Sequence, residues 1–85
     1  TLNLFRNEVG DDGALAFSVS INFPKLEILY LGDNSITDKG AVVLIESKAF
    51  PALKTLDLGK NLLGEASAMA ALKVNRAEKI LVIYR

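Results

Sequence analysis

Leu26-Glu27-Ile28-Leu29-Tyr30-Leu31-Gly32-Asp33-Asn34 is the stretch that decides the fold, because its skeleton returns as Leu53-Lys54-Thr55-Leu56-Asp57-Leu58-Gly59-Lys60-Asn61. Its second half opens the chain as Leu2-Asn3-Leu4-Phe5-Arg6-Asn7. The asparagines at 7, 34 and 61 set a period of 27 residues. Phe23 and Phe50, Pro24 and Pro51, Gly13 and Gly40, and Leu29 and Leu56 keep the same offset. A fixed period in this range marks a stack of equivalent supersecondary units, none of which can bury its apolar face alone.

Within each unit, Leu2 and Leu4 alternate with Thr1, Asn3 and Phe5, the period-2 pattern of a half-buried strand. An Asn ends the strand. Val9, Ile36 and Leu63 follow as the next inward apolar residues. Asp11-Asp12 and Thr37-Asp38 stand just before Gly13-Ala14-Leu15 and Gly40-Ala41-Val42, where a short side-chain oxygen can accept from the first free N–H groups of a helix. The pattern predicts helices over residues 12–20, 38–47 and 65–74, the third with Gly64-Glu65 in place of a cap. The apolar stripes Ala41, Leu44, Ile45 and Ala68, Met69, Leu72 are expected in the core.

The spacing L-x-x-L-x-L-x-x-N-x-(I/L/V) resembles the leucine-rich repeat family, and the Gly-Ala tail after it is similar to the ribonuclease-inhibitor-like subtype. The resemblance implies an α/β solenoid, a right-handed superhelix with a parallel concave sheet and convex helices. It covers residues 1–85 as one array: a partial repeat 1–23, repeats 24–50 and 51–77, and a partial repeat 78–85 in which Ile80 and Ile83 hold the leucine places. Because Thr1 enters in mid-repeat, the array is expected to be a fragment of a longer protein. By the same resemblance Asn7, Asn34 and Asn61 turn inward and bond the backbone of neighbouring turns, a structural ladder suited to a side chain with donors and an acceptor.

Composition narrows the function classes. Ten basic and ten acidic residues cancel and form no basic stripe, which argues against nucleic acid. Cysteine and histidine are absent, which removes disulfides, Cys/His metal sites and Ser-His-Asp or Cys-His machinery. No apolar run approaches the roughly 18 residues of a membrane span, so no membrane partner is expected. A reducing, cytoplasmic setting is compatible with this composition. Asp33-Asn34-Ser35-Ile36-Thr37-Asp38 lacks the glycine and the bidentate glutamate of a calcium loop, and Gly59-Lys60 lacks phosphate-loop spacing, so neither metal nor cofactor is expected. Glu8, Asp11 and Asp12 cluster on a loop without a cavity to raise a carboxylate pKa, so no catalytic residue is assigned and the chain is not expected to be an enzyme.

Function is therefore expected on the concave sheet, the family's usual partner-binding face. Units in register would align Asn3, Tyr30, Asp57 and Tyr84 in one column, Thr1, Ile28, Thr55 and Val82 in a second, then Phe5, Gly32, Gly59 and Arg6, Asp33, Lys60. Aromatic residues are enriched at interface hot spots. Phe5, Tyr30, Asp33, Asp57, Lys60 and Tyr84 are the candidate residues for a protein partner. Against this, Arg6, Asp33 and Lys60 alternate in sign as a solvated charge ladder would, and exposed pairs contribute only about 0–1 kcal/mol. Two alternatives stand beside partner binding: self-association through the uncapped strands at Leu2 and Ile80, and a regulatory or GTPase-activating segment of a larger signalling protein.

Overall fold

Apolar side chains two apart, then three and four apart, alternate along the chain, and the structure alternates with them. The computed structural model describes residues 1–78 and 80–84. In order the elements are β1 (Leu2–Asn3), α1 (Gly10–Ser18), β2 (Ile28–Tyr30), α2 (Asp38–Ile45), β3 (Thr55–Asp57), α3 (Glu65–Glu78) and β4 (Leu81–Ile83). The four strands form one parallel sheet in the order β1-β2-β3-β4, each joined to the next through a helix. This α/β arrangement follows from the strand-helix alternation, since parallel neighbours need a crossover and a helix supplies it.

One face of the sheet is filled. Leu29, Leu31, Leu56 and Leu58 are almost wholly buried and share a core with Ala14, Ala41, Leu44, Ile45 and Val82 from the helices and the last strand. Phe23 and Phe50 close the units as expected: Phe50 is buried, Phe23 half-buried, and their ring centroids lie 6.2 Å apart, with Phe17 a further 5.9 Å from Phe23.

Register holds for three strands and slips at the fourth. Leu2 pairs with Leu29 and Leu29 with Leu56, but Leu56 pairs with Val82, one residue earlier than the asparagine spacing demands. A one-residue slip turns every side chain to the other face. Val82 is accordingly buried while Leu81 and Ile83 are exposed, which corrects the expectation that Ile83 fills an inward leucine place and that Val82 lies in the open-face column with Thr55. Ile80 packs against the core. Of the partial repeat 78–85, Lys79 and Arg85 lie outside the described residues.

The helices also differ from expectation at their starts. Asp11 and Asp38 do not cap their own helices; each reaches forward to the next. Asp11 Oδ1 accepts from the Thr37 N–H (2.8 Å) and the Gly40 N–H (3.2 Å), and Oδ2 from the Thr37 hydroxyl (2.6 Å), at the start of α2. Asp38 Oδ1 accepts from the Gly64 N–H (2.9 Å), the Ser67 N–H (3.2 Å) and the Ser67 hydroxyl at the start of α3. One carboxylate thus satisfies two of the free donors of the following helix and sits at the positive end of its dipole. Gly40 is required there, because a Cβ would stand 2.5 Å from Asp11 Oδ1 and 2.9 Å from Asp11 Cα. At α1 the N-cap residue, Val9, makes no side-chain cap bond.

These bonds hold both carboxyls below their ordinary value of 3.8, chiefly the hydroxyl of Thr37 for Asp11 and that of Ser67 for Asp38. A carboxyl whose folded pKa is depressed binds fewer protons folded than unfolded, so its contribution is present above 3.8 and is lost as pH falls through the folded value. Thermal midpoints should therefore drop on acidification below the ordinary carboxylate range. The combined Asp11→Asn and Asp38→Asn variant should be less stable at neutral pH and show a flatter acid limb; an acid limb as steep as the parent's would remove these caps as its cause.

At the end of the helix layer the apolar stripe runs out of neighbours. Met69 and Leu72, expected in the core, are 62% and 50% exposed, whereas Ile45, the counterpart of Leu72 on α2, is 3% exposed against α3. No helix among the described residues is long and apolar enough to cross a membrane.

Candidate functional site

With one face of the sheet packed, the other is open, and what stands on it is set by the alternation of each strand. Where the chain leaves the strands it passes through Arg6, Asp33 and Lys60, all in left-handed backbone conformations with φ between 54° and 58°. Non-glycine residues rarely take this conformation, and three equivalent ones indicate a turn imposed by the surroundings. The asparagine ladder imposes it. Asn34 Oδ1 accepts from the N–H groups of Asn7 (2.8 Å) and Val9 (3.1 Å), and its Nδ2 donates to the carbonyls of Leu4 (2.8 Å) and Gly32 (2.9 Å). Asn61 repeats the pattern one unit on, accepting from Asn34 and Ile36 and donating to Leu31 and Leu58. Each side chain therefore ties its own turn to the preceding one. Asn7 departs from the expectation: it is exposed, and among the described residues its amide donates to the Phe5 carbonyl of its own turn, at 3.1 Å, and to no neighbouring turn.

The backbone ladder continues past the short strands. Leu4 and Arg6 donate to the carbonyls of Tyr30 and Gly32, and Leu31 and Asp33 to those of Asp57 and Gly59, all at 2.8 to 2.9 Å. The open face is therefore a hydrogen-bonded platform from Leu2 to Lys60, and side chains on it keep fixed spacings.

Of the candidate residues, Phe5, Tyr30, Asp33, Asp57 and Lys60 come together on this platform. Tyr30 pairs across the sheet with Asn3 and Asp57 and is half-buried. Phe5 is 44% exposed. The Arg6 guanidinium lies 5.3 Å and the Lys60 ammonium 6.0 Å from its ring centroid, both within cation–π range. Arg6 Nε also donates to Asp33 Oδ2 at 2.9 Å, with the Arg6 side chain 72% and the Asp33 side chain 40% exposed, so this solvent-screened pair contributes about 0–1 kcal/mol. The charge ladder is thus partly a solvated pair, as one reading of the sequence held. Asp57 Oδ1 accepts from the Gly59 N–H at 2.9 Å, which fixes its carboxylate at the end of β3.

Tyr84 is not brought to this group. The slipped register places it one residue past Ile83, at the inward position held by Leu31 and Leu58, and it packs half-buried against the core. Its expected place beside Asp57 is taken by Ile83, and Leu81 stands beside Thr55. These two exposed residues escaped the sequence reading because Ile80, Leu81, Val82, Ile83 and Tyr84 are all apolar and give no alternation from which to set the register. The open face is consequently more apolar near β4 than the repeat alone suggests.

Comparison with known proteins adds one match. Residues 1–18 and 24–44, a little under half of the chain, match a family model described as Leucine Rich repeat, which supports reading the chain as a leucine-rich repeat protein. No curated protein and no solved structure gives a significant match to the chain.

Proposed function

We propose that this chain is a segment of a leucine-rich repeat solenoid of the ribonuclease-inhibitor-like type, and that it binds a protein partner through the open, concave face of its sheet without catalysis of its own. The observation that carries the reading is the assembly of Phe5, Ile28, Tyr30, Leu81 and Ile83 with charged Arg6, Asp33, Asp57 and Lys60 on a platform whose other face is filled. Aromatic and aliphatic centres with a polar rim are the composition of protein interfaces. Fixed spacing lowers the ordering cost of association. Leucine-rich repeats generally serve protein–protein interaction, and the cytoplasmic setting suggested by the composition belongs to this proposal.

Replacing Tyr30 and Asp57 together with alanine should cut partner capture from extracts of the source cells at least about tenfold, with far-UV circular dichroism unchanged. Undiminished capture by the folded double variant would place the interface elsewhere.

A second reading is favoured by the ends of the helix layer. Leu62, Met69 and Leu72 protrude at one end, and Val9, Gly13, Ala16, Phe17 and Phe23 line an apolar recess of about 380 Å³ at the other. Copies stacked end to end would cover both. Light scattering over a concentration series tests this, since a monomer at the highest concentration removes it.

A further inference from the structure

The outer position after the second strand leucine is Phe5 in the first unit and glycine in the next two, Gly32 and Gly59. This change from a large side chain to none makes a step in the open face. The Phe5 ring lies over Gly32, where a Cβ would stand 2.9 Å from a ring carbon and 3.2 Å from the Gly59 carbonyl oxygen. Beyond the ring the floor is bare backbone. Phe5, Gly32, Asp57, Gly59, Lys60 and Ile83 bound a recess of about 170 Å³. An apolar cavity of about 150 Å³ takes one benzene ring, so this recess has room for the six-membered ring of an aromatic side chain.

The walls select among occupants. Arg6 near the Phe5 ring is paired with Asp33, so Lys60 is the lining charge that opposes a further cation. An anion meets the Asp57 carboxylate, which also lines the recess. A neutral aromatic ring escapes both penalties, packs against Phe5 and Ile83, and offers its face to the Lys60 ammonium. Asp57 adds a polar preference: Oδ1 is engaged by the Gly59 N–H at 2.9 Å, while Oδ2 takes no hydrogen bond among the described residues and can accept from a ring N–H in the recess that Asp57 lines. We infer that the recess between Phe5 and Asp57 is a side-chain pocket for a tryptophan carried by an extended segment of the protein partner. This rests on the reading of the open face as the partner surface.

The chain contains no tryptophan, so indole fluorescence would report the probe alone. Titrating N-acetyl-tryptophanamide into the ¹⁵N-labelled chain should shift the amide signals of Gly32, Gly59 and Lys60 saturably, with a dissociation constant of about 1–10 mM. N-acetyl-leucinamide should bind about fivefold or more weakly, having neither π-face nor N–H on its side chain. Phe5→Ala should weaken the tryptophan probe about tenfold, and Lys60→Gln, which removes the charge and keeps a side chain of similar reach, a few-fold. Equal affinity for the leucine probe, or no saturable shift at these amides, would overturn the pocket. Shifts centred on Ile28 and Tyr30 instead would also overturn it while leaving the face as the binding surface. Partner capture separates the two claims in the same way. Loss in the Tyr30 and Asp57 double variant with full retention in folded Phe5→Ala refutes the pocket alone, whereas retention in both refutes the face as well.

Discussion

Asn34→Ala is expected to destabilise the protein by about 3–5 kcal/mol, close to the whole margin of a small domain, read as a shift of the urea midpoint followed by circular dichroism. The side chain is 1% exposed and makes four hydrogen bonds to backbone groups of two turns. Alanine would leave the N–H groups of Asn7 and Val9 and the carbonyl of Leu4 without these partners, and each unpaired buried group costs about 1–3 kcal/mol, reduced where water reaches it. Asn34→Asp keeps an acceptor for the two N–H groups but loses both donors, so it should fall between parent and alanine. The informative control is Asn7→Ala, which removes one exposed bond and should cost about 1 kcal/mol or less. Equal losses at positions 7 and 34 would mean that the bonds between turns contribute nothing beyond local turn formation.

Leu56→Ala is expected to cost about 3–5 kcal/mol. Leu56 is 1% exposed in β3, flanked by Leu29 and Val82 and covered by the helix layer, so the space left by a missing isobutyl group cannot close without moving a hydrogen-bonded strand. Leu29→Ala should behave alike, being equally buried with a strand on either side. Leu2→Ala, at the half-buried edge strand, should cost about half as much or less. If all three cost the same, burial between neighbouring units is not what holds the column of leucines. Denaturant unfolding of the three variants side by side makes the measurement.

Much of this was readable in the sequence, for a definite reason. The spacing of Asn7, Asn34 and Asn61 marks turns that must be stacked for those side chains to find partners, and β1 to β3 take the register it implies. What escaped had no local signature. Asp11 and Asp38 fall at the starts of their own helices, where the sequence reads as an ordinary cap, and nothing within one unit reveals that the carboxylate serves residues 26 to 29 further on. At the fourth strand the apolar run from Ile80 to Tyr84 permits two registers, so Tyr84 was given the surface position that belongs to Ile83. Met69 and Leu72 carry the periodicity of a buried stripe, which encodes a helix face and not the presence of a neighbour to cover it.

The forward reach of Asp11 and Asp38 gives the molecule a direction. A helix in this chain starts on an anchor that the preceding turn has already positioned, while each inner asparagine secures the turn behind it. Helix anchoring therefore passes along the polypeptide in the sense in which a ribosome releases it, while each turn is completed only when the asparagine of the following coil arrives. Deleting a unit from the front strands the next helix without its anchor, and deleting one from the back does not, so the two truncations are unequal even where the lost apolar area is the same.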